Sequence, residues 1–456
     1  MHALFNILLY IKSIITGPTV MILLLLVGIF FSFRLHFFQI RGMPTWLRFT
    51  VGHLFKKQEA APGSLTPVQA LATSLAASIG TGNMVGVATA LVAGGPGAIF
   101  WMWVSAIFGM MTKYAEVVLG VYYRKKNAAG EWIGGPMYYM EAGLGKYGYL
   151  LANLFALFGA LAAFGIGNMT QINSISTSIE TLMVEQWVCS SNLIFFVKLL
   201  VGVACSCILG LVIIGGIKRI AQVAEKLIFF LSFFYIIGSL IAIGKHMDAV
   251  VPALIMICKS AFSTSSVTGG ILGFTVSKAI SYGISRGIFS HEAGLGSAPI
   301  AYASSDSADP VEQGLWGILE VFIDTIVICT LTALVILTSG ISWQTSDGAA
   351  LTIAAYRQSF GIYGSYFIAI SITLYGFATI LTWALYGKRC YNYFCKGKAT
   401  FLYQMLYLLF VVIAAIMDIG IVWHISDVLN NLMALPNIIA LLLLSNIVVR
   451  ISKKIC

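Results

Sequence analysis

The chain has 456 residues, 59% of them hydrophobic and only 10% charged, with a net charge of +10. A soluble domain carries about 25% charged residues, so this composition excludes one. Apolar runs of about 20 residues recur along the whole length and mark a polytopic membrane protein. Lys and Arg of such proteins collect in cytoplasmic loops, so the positive balance reports topology and not nucleic-acid binding. The eight cysteines form no CxxC pair or regular framework, which argues against structural disulfides and a metal cluster.

Eleven spans are predicted, at about 18–38, 66–93, 98–121, 149–179, 193–214, 219–243, 250–282, 314–339, 364–386, 401–418 and 427–449. The first resembles a signal peptide, but Arg34, His36 and Arg41 follow it without a small-residue cleavage site, so it is read as a retained span. The second opens at Thr66-Pro67 and is interrupted by Ser78-Ile79-Gly80-Thr81-Gly82-Asn83. Each helical Gly costs roughly 1 kcal/mol relative to Ala, and backbone groups freed in hydrocarbon must find partners within the protein. Such a break is tolerated where it lines a cavity; its amides suit an anion and its carbonyls a cation, the arrangement of a transporter.

Basic clusters alternate along the chain: Arg41 to Lys57, Arg124 to Lys126, Lys218-Arg219, Lys278 with Arg286, Lys388 to Lys398, and Arg450 to Lys454. The loops between them are poorer in positive charge, which places the N-terminus outside and the C-terminus inside. The span from 250 then runs opposite to that from 66, and it too is interrupted, at Thr268-Gly269-Gly270. Two oppositely oriented halves are expected, 66–243 and 250–449, each led by a broken helix, although no sequence identity links them. Residues 1–60 hold an extra helix and a basic loop, and 61–456 form one transporter domain.

The run Ala72 to Gly86 with its Gly-Thr-Gly-Asn core, Gly94 to Ser105 with Thr112 to Glu116, Gly134 to Tyr139, and Arg286 to Pro299 resemble the alanine or glycine:cation symporter family, the bacterial sodium:alanine symporters. The likeness covers about residues 60–450. His291 stands where Asn is usual, and Asn168 and Ile271 stand where an aromatic is expected to face substrate. The resemblance implies the LeuT-like fold, an all-α inverted repeat of five plus five helices. It also implies sodium-driven or proton-driven uptake of a small amino acid in the bacterial cytoplasmic membrane. No cofactor other than the coupling ion is expected, and a monomer is expected to suffice.

An amino acid presents a carboxylate, an ammonium and a side chain. Thr81 and Gly82 resemble the positions whose amides face the carboxylate; the bland reading is that Gly80 and Gly82 only permit close helix packing. Gln171 resembles a substrate-contacting position and would accept from the ammonium, with the carbonyls near Gly269 and Gly270, or it bonds a neighbouring helix. Trp383 shares a helix face with Thr379, and with Ile271 and Phe274 would close the side-chain pocket, unless it belongs to the interfacial aromatic belt. Asn168 joins this set.

Carbonyls of Ala76 and Ile79 with the Thr379 hydroxyl form the candidate sodium cage, and Thr382 and Thr373 are weaker members. Threonines in apolar helices often bond their own helix instead. Asp324, Glu320, Lys113 and Glu116 are intramembrane charges, functional by default, as gate ion pairs or ion ligands. The Glu292 to Gly296 segment is expected in an inner loop. A passive channel would need a continuous polar ring, whereas the polar residues cluster at helix breaks. An enzyme or ATP-driven pump lacks paired metal ligands and a nucleotide loop.

Overall fold

A computed structural model describes residues 19–54, 61, 64–186, 190–262, 276–343 and 348–453. Apart from a two-residue ladder between Lys125–Lys126 and Trp132–Ile133, these are helical. The principal helices are α1 (Thr19–Arg34), α2 (Pro67–Ser78), α3 (Val85–Gly94), α4 (Gly97–Tyr122), α5 (Gly145–Phe164), α6 (Thr170–Gln186), α7 (Ser191–Ile213) and α8 (Gly216–Gly244). They continue with α9 (Val276–His291), α10 (Ala298–Tyr302), α11 (Pro310–Val321), α12 (Thr330–Thr338), α13 (Ile362–Phe394), α14 (Thr400–Ala415) and α15 (Ile419–Leu443). Among the described residues, seven helices are long and apolar enough to cross a membrane. The protein is an all-α, multi-pass membrane protein.

Local chemistry sets the helix ends that matter. Thr66 caps α2 reciprocally with Gln69, each side chain bonding the other's backbone N–H at 3.1 Å, and Pro67 occupies the first turn. Asp309 caps α11 ahead of Pro310 from one side only, accepting from Val311 N at 2.8 Å. Two π-helical stretches, Gly165–Met169 between α5 and α6 and Phe322–Cys329 between α11 and α12, insert an extra residue without ending the helix. Such turns collect at functional sites.

The polar and apolar faces sort the helices into layers. Helix α4 is almost wholly buried, whereas α7 and α8 expose Phe196, Leu200, Leu211, Phe230 and Phe233, the apolar surface that lipid covers. Within the bundle α3 packs on α9, and α2 packs on α10, so the two halves of each divided helix meet the halves of the other. Leu65 pairs with Ser305 beside them, tying the start of α2 to the segment after α10.

Two expectations need correction here. Of the span expected at 250–282, the described residues hold a short helix, Val250–Ser260, and the start of α9, which continues past 282 to His291. Gly283 and Gly287 do not end α9, because there α9 approaches α4 too closely for a side chain, against Ala98, Trp101, Met102 and Ser105. An interruption that was not expected falls at Glu292 to Ser297, where Glu292, Gly294 and Gly296 have φ of 55°, 91° and 81°. That segment is a buried connection between α9 and α10, with Glu292 only 2% exposed. Arg286 is not a loop charge: it lies inside α9, buried, against Asp427 of α15. Gly269, Gly270, Ile271 and Phe274 lie outside the described residues.

Candidate functional site

The first break begins at Ile79, whose ψ of 92° takes the chain out of the helix, and passes through a single tight turn, Thr81–Asn83, into α3. Its freed groups are met by side chains. Gly80 N–H donates to Asn83 Oδ1 at 3.0 Å and Thr81 N–H to Gln171 Oε1 at 3.0 Å. The Thr332 hydroxyl donates to the Asn83 carbonyl at 2.8 Å. Thr352 does the same for Met84 at 3.2 Å. Gly82 faces the second divided helix: a Cβ there would stand 3.0 Å from the Phe289 ring and 3.6 Å from Ser290 Cα.

Asn83 joins the two breaks. Its Nδ2 lies 3.0 Å from Ser290 Oγ and 2.8 Å from Asp324 Oδ1. Ser290 and Thr325 hydroxyls donate to Asp324 Oδ2 at 2.7 and 2.6 Å. Asp324 is fully buried, so these neutral donors do for its charge what water does elsewhere. The inserted residue of the second π stretch is what lets Asp324 sit among them.

On the other side of the break, Thr379 of α13 donates to the Ala76 carbonyl at 2.9 Å and lies 3.1 Å from the carbonyl of Tyr375. Ile79 follows Ala76 by three residues at the same helix end, and Gly80 is close enough that a Cβ would meet Thr379 Oγ1 at 2.6 Å. Ala76, Ile79 and Thr379 are thus brought together. Thr382 is not: its hydroxyl bonds Ala378 of its own helix at 3.0 Å, as Thr373 bonds Ala369 at 2.7 Å.

Gln171 and Thr81, read as holding opposite ends of a substrate, bind each other. Gln171 Nε2 is in turn anchored on the Ile166 carbonyl, 2.9 Å away, a group freed by the first π stretch. Asn168 in that stretch turns toward α14, donating to Tyr407 O at 2.7 Å. Trp383 is buried beside Gly167, where a side chain would collide with it, and its indole N–H donates to Glu292 Oε1 at 2.9 Å. The second break therefore presents a carboxylate to the residue expected to close the pocket.

The remaining intramembrane charges divide. Lys113 and Glu320 form an ion pair at 3.0 Å with side chains 0% and 1% exposed, and Tyr302 OH donates to the other Glu320 oxygen at 2.9 Å. Glu116 stands outside that pair and braces the second break, accepting from Gly296 N–H at 2.8 Å and Asn437 Nδ2 at 2.6 Å. Beyond α10, Arg124 binds the carbonyls of Ser305 and Ser307. Burial lowers its guanidinium below the usual value, and Asp306 opposes the shift.

Asn83, Ser290, Glu292 and Phe289 lie at the junction of the two breaks and were left out of the candidate site by the sequence reading. The signal was present: Glu292-Ala293-Gly294-Leu295-Gly296 spaces its glycines as Gly80-Thr81-Gly82 does. Among the described residues, no group of three His, Cys, Asp or Glu is placed to hold a metal ion.

The profile of the sodium:alanine symporter family matches residues 1–455. An uncharacterized transporter of Haemophilus influenzae is 42% identical over 97% of this chain and 94% of its own. The sodium/alanine symporter AgcS of Methanococcus maripaludis is 41% identical over 97% of this chain and 95% of its own. The crystal structure of MhsT in complex with L-phenylalanine superposes with a TM-score of 0.60 at 12% identity, covering 85% of this chain and 90% of that one, a likeness of fold alone.

Proposed function

The chain belongs to the sodium:alanine symporter family, and from that we propose that it imports a small neutral amino acid, alanine or glycine, in symport with sodium by alternating access. The observation that carries the reading is the hydrogen bond of Asn83 to Ser290, which joins two interrupted helices at one buried place. An amino-acid zwitterion needs such a place, with amides for its carboxylate and carbonyls for its ammonium. Thr81 and Gly82 supply amides, and Gln171 is the group that substrate displaces from Thr81. The Ala76 and Ile79 carbonyls with the Thr379 hydroxyl take the sodium, for which a few neutral oxygens suffice.

We read the architecture as five plus five helices of opposite orientation, α2–α3 through α8 and α9–α10 through α15, with α1 outside the repeat. Crossed packing of α2 on α10 and α3 on α9 supports it. Alternating loop charge supports an N-terminus outside and a C-terminus in the cytoplasm. A monomer contains both breaks and so the whole site.

Labelled alanine uptake into proteoliposomes tests the function. Uptake should rise with an inward sodium gradient and carry positive charge inward. Equal uptake from choline buffer, driven by a proton gradient instead, would replace sodium by protons. Preference for glutamine over alanine and glycine would overturn the small pocket and leave the carrier standing.

A further inference from the structure

Far from both breaks, a cavity of about 260 Å³ opens where the corner between α7 and α8 meets the last two turns of α13. Its α7–α8 wall is apolar, formed by Ile213, Ile217 and Ile220. Its α13 wall carries Lys388 and Arg389, joined by Glu131 from the hairpin that ends at Trp132–Ile133. The corner turns at Gly216, whose φ is 71°, and a Cβ there would meet nothing within 4 Å. Leu211 and Ile214 beside it are exposed on the face that lipid covers. The charges in the cavity do not balance. Glu131 Oε2 is already shared between Asn127 Nδ2 at 3.1 Å and Arg389 Nη2 at 3.4 Å, the second longer than the ~2.7–2.9 Å of a charge-assisted hydrogen bond. Lys388 is half-buried, and among the described residues its ammonium has no hydrogen bond or ion pair.

Topology alone does not account for Lys388. The positive charge that orients a membrane protein is supplied at this end by the exposed Lys396 and Lys398, whereas an ammonium drawn partly out of water is costly without a partner. An apolar wall opposite two cations is the complement of an anionic amphiphile, and basic pockets between membrane helices hold lipid headgroups in this way. A free phosphate would satisfy the cations but leave the isoleucines against water. A zwitterionic headgroup would bring its own cation to a site that already has one too many. We propose that the cavity binds one anionic phospholipid, its phosphate on Lys388 and Arg389 and the start of an acyl chain along Ile213 and Ile217. The lipid then rests on the helix that carries Trp383, five residues before Lys388, and Thr379.

Native mass spectrometry of the full chain tests this independently of transport. Protein taken from phosphatidylcholine vesicles that also contain phosphatidylglycerol should retain one phosphatidylglycerol and no phosphatidylcholine in its place. Lys388→Gln should weaken that retention about tenfold, the effect of one lost charged hydrogen bond. Lys398→Gln removes the same charge from an exposed loop and should change nothing. Ile217→Trp fills the apolar wall, keeps every charge and should also expel the lipid; it decides the matter if Lys388→Gln fails to fold. Full retention in folded Lys388→Gln or Ile217→Trp protein, or an equal loss in Lys398→Gln, would overturn the site. Inorganic phosphate bound equally by wild-type and Ile217→Trp protein would overturn the lipid and put the free ion in its place.

Discussion

Thr81 and Gln171 hold one another across the first break, backbone N–H to side-chain carbonyl at 3.0 Å, although they lie on different helices. The amide proposed for the substrate carboxylate is therefore already capped by a neutral oxygen, and on that proposal binding is an exchange of one acceptor for another. Gln171→Ala should remove both the competitor and a contact. The net loss in alanine affinity is expected to stay within about 1–2 kcal/mol, the worth of one hydrogen bond. Calorimetric titration measures it; a loss of a thousandfold would mean that Gln171 holds the substrate directly.

Gly82→Leu is expected to abolish binding. Even a Cβ at Gly82 stands 3.0 Å from the Phe289 ring, so a branched side chain must push α9 away or fill the carboxylate position. Gly86 is the control, since a Cβ there meets nothing within 4 Å. Gly86→Ala should leave binding unchanged and stabilise α3 by about 0.5–1 kcal/mol, the usual gain in a helix. Binding and thermal unfolding of both purified variants check the pair.

Thr379→Val keeps the shape of α13 and deletes the hydroxyl that reaches Ala76. The sodium concentration for half-maximal uptake should rise about tenfold or more, as for one lost ligand bond. Thr382→Val should leave it unchanged, because that hydroxyl is bonded to Ala378 within its own helix. Equal effects of the two substitutions would remove Thr379 from the sodium cage.

The first break was legible because Gly80, Gly82 and Asn83 follow a capped apolar run, and local sequence alone dictates that a helix stop there. The break at Glu292 to Ser297 was not anticipated, for a physical reason. Arg286 reads as a loop charge until Asp427 and Trp423, far along the chain, are seen to surround it. Trp383 was expected against Ile271 and Phe274, which lie outside the described residues, and the structure brings its indole to Glu292. Such pairings are set by tertiary packing, and no window of sequence contains both partners. Ala76 and Thr379 were paired as candidate sodium ligands, and the structure brings the Thr379 hydroxyl to 2.9 Å from the Ala76 carbonyl.

Lys113→Met leaves the Glu320 carboxylate buried and unpaired. Breaking one side of a buried ion pair costs about 3–5 kcal/mol, whereas replacing both partners by apolar residues is often neutral. Lys113→Met should lower the unfolding temperature sharply, and adding Glu320→Leu should restore most of it. A double variant as unstable as the single one would show that Tyr302, which also bonds Glu320, is the partner that matters.

Trp383→Phe retains an aromatic ring but removes the indole donor from Glu292. One buried carboxylate oxygen loses its partner, at about 1–3 kcal/mol. Trp383→Ala goes further and should let leucine or glutamine compete with alanine for uptake. Competition assays on the two variants separate the polar from the steric role.

The π-helical stretches at Gly165–Met169 and Phe322–Cys329 carry a consequence for how chains of this kind are compared. Each holds one residue more than an α-helix of equal length, and one residue is about 100° of rotation. A relative lacking the extra residue will show a one-position gap there. Unless that gap is placed inside the stretch, every equivalence up to the next loop is assigned to the wrong side of the helix. Gln171 and Thr325 stand immediately beyond or within these insertions, so function transferred by naive column matching would fail first at the residues that bond Thr81 and Asp324.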